Sequence, residues 1–207
     1  MTPAQQLAQG VRELAIELPA RAEERLLRYL ALLQKWNRVY NLTAVRELRK
    51  MVSQHLLDCL AVAPRVAAAT LLDVGSGAGL PGIPLALALP GARVTLLDAN
   101  HKKAAFLKQA VMELALGNAE VVCERVENWK PSARFEVVVS RAFAALGEFV
   151  TVAGRHAAAG GRLAAMKGVY PHAELEELPR GWQVRQVTTL AIPGLQAQRH
   201  LVVLGRD

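Results

Sequence analysis

A glycine-rich turn between two apolar runs limits this chain's fold more than any other stretch. Residues 71–74 are apolar except for Asp73, and residues 83–89 are apolar again. The segment between them holds four glycines: Gly75, Gly77, Gly79 and Gly82. This order predicts a strand, a tight turn and a helix. Because glycines let a ligand approach and helix-start amides favour an anion, we expect a small, partly anionic ligand at the carboxyl end of a parallel strand.

Strand-like and helix-like segments alternate from residue 70 onward. The predicted strands are residues 71–74, 94–97, 120–123, 135–140, 162–166, 184–190 and 200–204. The predicted helices between them are residues 83–89, 102–116, 146–156 and 173–178. This alternation predicts an α/β fold, a seven-stranded sheet built from βαβ crossovers and ending in an antiparallel hairpin.

The first part of the chain has a different pattern. Residues 20–39 carry an apolar stripe at helical spacing, and residues 49–61 carry another. We therefore expect residues 1–66 to form a helical region packed on the core, and residues 67–207 to form the α/β domain.

Charge and cysteine content narrow the functional class. The net charge is +7, which favours a polyanionic partner. Arg12 and Glu13 stand where a secretory apolar segment would run, and no uncharged apolar run approaches the ~18 residues of a membrane span. Cys59 and Cys123 lie far apart in apolar contexts, which predicts buried free thiols and no metal site. We expect a soluble cytoplasmic protein.

Two cofactors compete for the glycine turn. Gly77, Gly79 and Gly82 match the dinucleotide fingerprint, and Asp98 follows Gly77 at the distance of a ribose-binding acid. Spacing alone therefore permits NAD. A purely structural glycine turn, and a helix-capping role for Asp98, are the plainer alternatives.

Three details favour S-adenosylmethionine. Asp73 suits a ligand with an ammonium group, and Pro81 removes an amide that a pyrophosphate would need. The pattern Asp-x-Gly-x-Gly-x-Gly over residues 73–79 also places its glycines differently from the Gly-x-Gly-x-x-Gly pattern of dinucleotide-binding turns. Asp98 would then accept the ribose hydroxyls, and residues 125–128 would meet the adenine.

An ordered set of motifs carries a family resemblance. It comprises Trp36-Asn37-x-x-Tyr40-Asn41-Leu42-Thr43, His55-Leu56-Leu57-Asp58, the segment from Asp73 to Pro84, Leu97-Asp98, Ser140-Arg141-Ala142-Phe143-Ala144, Lys167-Gly168 and Arg199-His200-Leu201-Val202. The set resembles the bacterial 16S ribosomal RNA guanine-N7 methyltransferases (RsmG, or glucose-inhibited division protein B) over nearly the whole chain.

The resemblance implies a class I methyltransferase (Rossmann-like) fold, S-adenosylmethionine as cofactor, and a guanine in the 530 loop of 16S rRNA as target. Its partner would be 16S rRNA or the small ribosomal subunit, and we expect a monomer. The cofactor contacts that it implies fall on Gly75, Leu80, Val126, Glu127 and Arg141.

Guanine N7 carries a lone pair and no proton, so its methylation needs no general base, and we assign no catalytic residue. Phe143 is the candidate to stack on the guanine, with core packing as the alternative. Arg141 and Lys167 are candidates to hold phosphates or the cofactor carboxylate. His55 and Asp58, three positions apart on a predicted helix, are expected to share a structural hydrogen bond.

Three other functions stay open on sequence grounds. They are a nicotinamide dehydrogenase, a small-molecule methyltransferase and a non-enzymatic RNA-binding protein.

Overall fold

The computed structural model describes residues 1–141, 143 and 145–206. The strands are β1 (Thr70–Val74), β2 (Arg93–Leu97), β3 (Ala119–Val122), β4 (Phe135–Ser140), β5 (Ala157–Lys167), β6 (Trp182–Thr189) and β7 (His200–Arg206). The helices are α1 (Pro3–Glu13), α2 (Ala22–Tyr40), α3 (Leu48–Met51), α4 (Asp58–Leu60), α5 (Ala63–Val66), α6 (Gly82–Ala88), α7 (His101–Glu113), α8 (Leu146–Ala153) and α9 (His172–Glu176). A π-helical turn (Val52–Leu57) joins α3 to α4, and a 3₁₀ turn (Gly154–His156) follows α8.

The strands form one mixed sheet in the order β3-β2-β1-β4-β5-β7-β6. The first five strands are parallel, and β7 lies antiparallel between β5 and β6. This arrangement confirms the predicted α/β sheet with its antiparallel hairpin. The strand order reverses between β1 and β4, so a crevice is expected at the carboxyl ends of these two strands.

Strand β5 begins five residues earlier than the sequence predicts. Its added segment, residues 157–161, consists of alanine and glycine, which give little hydrophobic signal. The pairing with β4 is also irregular there, since the register shifts between Phe135 and Val137. The apolar pattern on which the prediction rests is visible only in residues 162–166. The prediction therefore placed the start of the strand five residues too late.

Alternating strand residues feed two hydrophobic layers. On one face, Leu71 and Leu96 pack with α6, α7 and the amino-terminal helices. On the other face, Leu72 and Leu97 pack with α8. The period of two along a strand places each set on its own side of the sheet, and the first layer joins the helical region to the sheet in one continuous core.

The amino-terminal helices pack closely on each other and on the sheet. At Gly10 in α1 a Cβ atom would lie 2.3 Å from the Leu57 side chain, so glycine lets α1 approach the π-helical turn. In α2, Arg25 donates to the carbonyl of Leu114 and Arg28 to that of Glu113. Both cations thus meet the negative end of the α7 dipole. No helix among the described residues is long and apolar enough to cross a membrane.

The crossover from β3 to β4 contains no helix. Residues 123–134, all described, form turns and irregular backbone. Such crossovers usually carry a helix that covers the sheet, so part of the β2–β3 face stays open here.

The two cysteines differ in burial. Cys59 is buried as predicted, but Cys123 is only partly buried. The prediction was wrong for Cys123 because it follows the edge strand β3, where its Sγ atom lies 3.3 Å from Nδ1 of His101.

Candidate functional site

The glycine turn between β1 and α6 is closed by Asp73. Its Oδ2 atom accepts a 2.9 Å hydrogen bond from the amide of Gly82, the first residue of α6. A Cβ atom at Gly82 would lie 2.6 Å from that oxygen and 2.2 Å from the Leu96 side chain. Glycine is therefore required where the helix begins against the carboxylate and β2.

This contact takes one of the amides at the start of the helix that an anionic group could use, and the expected partly anionic ligand at the turn stays a prediction. The helix is short, Pro81 has no amide hydrogen, and the carboxylate of Asp73 already takes the amide of Gly82. Asp73 is fully buried, and burial raises the pKa of its carboxyl to about 7. Its Oδ1 atom has no hydrogen-bond partner among the described residues. The predicted contact with an ammonium group stays a prediction, with Oδ1 as the oxygen left for it.

Asp98 braces the other side of the turn. Its Oδ2 accepts from the amide of Gly77 and its Oδ1 from the amide of Asn100, both at 2.8 Å. Asn100, rather than Asp98, caps α7 through its own side chain. Since each carboxylate oxygen offers two lone pairs, Asp98 keeps acceptor capacity for ribose hydroxyls.

A cleft of about 200 Å³ opens beside this turn. Five of the predicted site residues line it: Gly75, Asp98, Val126, Glu127 and Phe143. Gly75 and Gly77 both have positive φ, 70° and 58°, which a side chain would strain. Apart from its chain neighbours, the described residues place only the Gly75 carbonyl oxygen within 4 Å of a Cβ atom at Gly77, so there is room beside it.

Leu80 does not line this cleft. Its side chain is buried in the core cluster that the sheet shares with the amino-terminal helices, and its amide donates to the carbonyl of Ser76. The cofactor contact implied for Leu80 therefore stays a prediction.

Arg141 and Lys167 lie in a neighbouring cleft of about 350 Å³ that also contains Arg199. Arg141 donates to the carbonyl of Gln54 at 3.2 Å. Arg141 and Arg199 each reach one carboxylate oxygen of Asp58, at 3.4 and 3.1 Å. Burial raises the pKa of Asp58, and both guanidinium groups oppose that rise.

The predicted hydrogen bond between His55 and Asp58 is wrong. His55 lies in the π-helical turn, and its Nε2 atom is 2.9 Å from Oγ1 of Thr43. Asp58 pairs with the two arginines instead. Since π-helical hydrogen bonds run from residue i to i+5, the wider turn changes the angle between positions three apart.

Lys167 is paired inside the protein. Its Nζ atom lies 2.7 Å from Oε2 of Glu174, and the same oxygen accepts from the amide of Leu146 at 2.7 Å. The pair therefore ties the end of β5 to the start of α8. A phosphate contact by Lys167 stays a prediction.

Phe143 lines the first cleft and also packs inward. Its ring lies 5.1 Å from the Phe149 ring at an interplanar angle of 27°. This contact is the core packing that the sequence left open, and stacking on a guanine stays a prediction. Ala142 and Ala144, which belong to the same motif, lie outside the described residues.

The two clefts lie side by side at the carboxyl ends of the strands. The first follows β1, β2 and β3, and the second follows β4 and β5. Since β1 pairs with β4, the clefts adjoin at the reversal of strand order. A larger cavity of about 600 Å³ opens at the opposite ends, beside Thr70, Arg93 and Asn118, and is separate from the turn.

Sequence reasoning missed two supports of the first cleft. Tyr29 in α2 donates a 2.6 Å hydrogen bond to the carbonyl of Ala78 in the glycine turn. Arg155 and His156, in the 3₁₀ turn after α8, contact the carbonyl of Val126. Backbone carbonyls leave no pattern in a sequence, so neither contact had a local signal.

Among the described residues, no group of three or more His, Cys, Asp or Glu side chains could hold a metal ion.

Comparison with known families gives a match over most of the chain. The family model described as rRNA small subunit methyltransferase G matches residues 22–202. A protein of Nitrosospira multiformis named ribosomal RNA small subunit methyltransferase G is 55% identical over 213 residues, covering 100% of this chain and 99% of its own. A protein of the same name from Laribacter hongkongensis is 56% identical, covering 97% of each chain.

Solved structures show the same fold at low identity. The O-methyltransferase TomG from Streptomyces achromogenes, in complex with SAM, gives a TM-score of 0.62 at 16% identity, covering 100% of this chain and 99% of its own. A SAM-dependent methyltransferase from Aquifex aeolicus gives 0.57 at 20% identity, covering 75% of this chain and 92% of its own. Both likenesses support the class I methyltransferase fold.

Proposed function

Since this chain belongs to the family of rRNA small subunit methyltransferase G, we propose that it methylates N7 of a guanine in the 530 loop of 16S rRNA. S-adenosylmethionine is its cofactor. We place the reaction in the cytoplasm, with the protein acting as a monomer on 16S rRNA or the small ribosomal subunit.

The residues of the first cleft fit this cofactor. Asp98 offers carboxylate lone pairs to two ribose hydroxyls, and Val126 and Glu127 border the space for an adenine. Asp73 lies behind this cleft and does not line it, and its Oδ1 is a buried acceptor without a partner among the described residues, which we assign to the ammonium group. When bound, S-adenosylmethionine would supply a methyl group on a positively charged sulfur, which a nitrogen lone pair can accept while the carbon–sulfur bonding electrons stay with sulfur.

The second cleft fits a reaction that needs no strong base. Burial and the nearby Arg141 lower the pKa of His55 to about 4, so its imidazole is a weak base at neutral pH. Asp58 is held between Arg141 and Arg199. Methylation of N7 removes no proton, so positioning and exclusion of water suffice.

The cations of this cleft suit RNA. Arg141 and Arg199 face it with one shared carboxylate between them, which leaves net positive charge. Guanidinium groups bind phosphate oxygens in a fixed planar geometry. A bidentate arginine contact to O6 and N7 of the target would block the reaction, so we assign Arg199 to phosphates and Arg141 to phosphates or to the cofactor carboxylate.

One observation carries the proposal. The cleft of the glycine turn and the cleft of the arginines adjoin where β1 pairs with β4. A methyl donor in one cleft and a base in the other would then meet within a single crevice, as one-step transfer requires.

The experiment uses purified protein, radiolabelled S-adenosylmethionine and two substrates, naked 16S rRNA and assembled small subunits. We expect one methyl group per RNA, mapped to the 530 loop by the cleavage that follows reduction of 7-methylguanosine. The matched control is RNA with 7-deazaguanine at the mapped position, which keeps the Watson–Crick edge but carries a C–H group in place of N7.

Label on the 7-deaza RNA, or on another base, would contradict N7 transfer. Binding of NADH in place of S-adenosylhomocysteine would favour the dehydrogenase alternative. Label on small molecules but on neither RNA substrate would favour the small-molecule methyltransferase.

A further inference from the structure

The side chain of Arg155 contacts several backbone carbonyl groups of the loop that borders the proposed adenine space. Nη2 of Arg155 lies 2.8 Å from the carbonyl oxygen of Val126 and also bonds that of Glu127. The carbonyl of Trp129 lies 3.5 Å from the same nitrogen. A single exposed guanidinium thus holds a loop that has no helix of its own.

His156 strengthens this attachment. Its Nε2 atom lies 3.0 Å from the carbonyl oxygen of Val126 and donates to it in the tautomer that carries the proton on Nε2. Nε of Arg155 lies 3.4 Å from the same nitrogen. The His156 ring is buried and stacks on Trp129 at 5.6 Å.

The turn that carries both side chains is itself fixed. A Cβ atom at Gly154 would lie 2.8 Å from the Trp182 ring, so β6 packs directly on the turn. Arg206 donates to the carbonyl of Gly154 at 3.1 Å and lies over the Trp182 ring. Arg155 therefore reaches the loop from a rigid base.

The planar trans peptide transmits this contact to the cleft. The carbonyl of Val126 and the amide of Glu127 belong to one peptide unit, in which the C=O and N–H bonds point in opposite directions. With the carbonyl held by Arg155 and His156, the N–H of Glu127 points away from them. That amide donates to no acceptor in the described part of the chain, and Val126 and Glu127 both border the cleft.

We propose that Arg155 is a positioning residue for cofactor recognition, which fixes the Val126–Glu127 peptide so that the Glu127 amide donates to N1 of the adenine. This inference rests on the proposed use of S-adenosylmethionine and deepens it. Adenine offers an unprotonated ring nitrogen at N1, whereas hypoxanthine carries a proton there. The fixed amide therefore selects adenine.

The test measures calorimetric binding of S-adenosylhomocysteine and S-inosylhomocysteine to the full chain. We expect Arg155→Ala to weaken binding of the adenosyl compound about tenfold and to reduce the preference for adenosyl over inosyl. The kcat for RNA methylation should change less than twofold at saturating cofactor. Arg155→Lys, which keeps one donor, should recover part of the affinity.

Arg162→Ala is the matched control, because Arg162 also donates to two backbone carbonyls, those of Arg65 and Ala67, away from the cleft. We expect it to leave the affinity and the preference unchanged.

Amide exchange of the unaltered protein gives a second measurement. Binding of S-adenosylhomocysteine should slow exchange at the Glu127 amide at least tenfold. Unchanged affinity in Arg155→Ala, an equal loss in Arg162→Ala, or unprotected Glu127 would each overturn the assignment alone. Failure of the unaltered protein to bind S-adenosylhomocysteine would overturn the proposed function and this assignment with it.

Discussion

The hydroxyl group of Tyr29 donates a 2.6 Å hydrogen bond to the carbonyl of Ala78, which joins the middle of α2 to the glycine turn. Tyr29 is fully buried, and its ring lies 6.5 Å from that of Phe106 in α7. The amino-terminal helical region thus supports the turn beside the first cleft directly.

Tyr29→Phe keeps the ring and removes this hydrogen bond. Because the carbonyl of Ala78 would lose its partner in a buried site, we expect a loss of about 1–2 kcal/mol in the free energy of unfolding. Binding of S-adenosylhomocysteine should weaken as well, since the turn loses a support. Urea denaturation and calorimetry measure the two effects. The control is Tyr170→Phe, whose hydroxyl has no hydrogen bond within residues 1–141, 143 and 145–206; equal effects in both variants would refute the role of Tyr29.

Gly82→Ala tests the packing at the start of α6. The added Cβ atom would collide with the Leu96 side chain and with Oδ2 of Asp73. We expect a loss of at least about 1–3 kcal/mol in the free energy of unfolding, as for overpacked cores. Gly91→Ala is the matched control, because apart from its chain neighbours no described residue has an atom within 4 Å of a Cβ atom there. Equal stability of the two variants by urea denaturation would contradict the close approach.

Asp73 should make stability fall as the pH rises. Burial raises the pKa of its carboxyl to about 7 in the folded protein, from 3.8. Between these two pKa values the folded protein keeps a proton that the unfolded chain has released. The stability that this proton contributes is full below the unfolded pKa and is lost as the pH rises through the folded pKa.

Asp73→Asn removes this titration. Relative to Asp73→Asn, the unaltered protein should lose on the order of 4 kcal/mol between about pH 4 and pH 8. Denaturant titrations at several pH values measure the difference, and a difference that stays constant with pH would rule out the raised pKa.

His55 should make the stability of the protein fall as the pH falls. Burial, with help from Arg141, lowers the pKa of its imidazole from 6.5 to about 4. As the pH falls, the imidazole takes up a proton in the unfolded chain before it does so in the folded protein. The stability that the neutral ring contributes is therefore lost as the pH falls from the unfolded pKa to the folded pKa.

His55→Gln should remove about 3 kcal/mol of this dependence. The control is His172→Gln at an exposed position, which should follow the unaltered protein. If both variants show the same acid dependence in urea titrations, His55 does not titrate as stated.

Phe143→Leu separates stacking from packing. Leucine keeps an apolar contact with Phe149 but cannot stack on a base. If Phe143 stacks on the target guanine, methylation of RNA should fall about tenfold, as when an aromatic partner of a base is lost. Binding of S-adenosylhomocysteine should stay within about twofold, which calorimetry checks. Full RNA methylation would leave Phe143 with its packing role alone.

The sequence predicted the parts of the site that follow from local pattern. The tight glycine turn after β1, and the place of Asp98 after β2, follow from glycine spacing and strand order. Asp98 and Val126 line the same cleft because β1, β2 and β3 are parallel, so that the carboxyl ends of these strands lie at one edge of the sheet.

The rest depends on tertiary contacts. Asp58 joins Arg199 across 141 positions, and no local pattern encodes such a pairing. The π-helical turn also overrode the helical spacing from which the His55–Asp58 contact was predicted. The raised pKa of Asp73 depends on how deeply its carboxyl group is buried. The position of an acid at the end of an apolar run does not predict that depth.

The helix-free crossover from β3 to β4 has a practical consequence. Ser132, Ala133 and Arg134 are exposed there, beside the cavity at the amino-terminal ends of the strands. Exposed loop tips with small or polar residues tolerate added groups, and both clefts open at the opposite ends of the strands. A fluorescent dye or a surface tether attached at this loop would therefore report on the protein without obstructing either ligand.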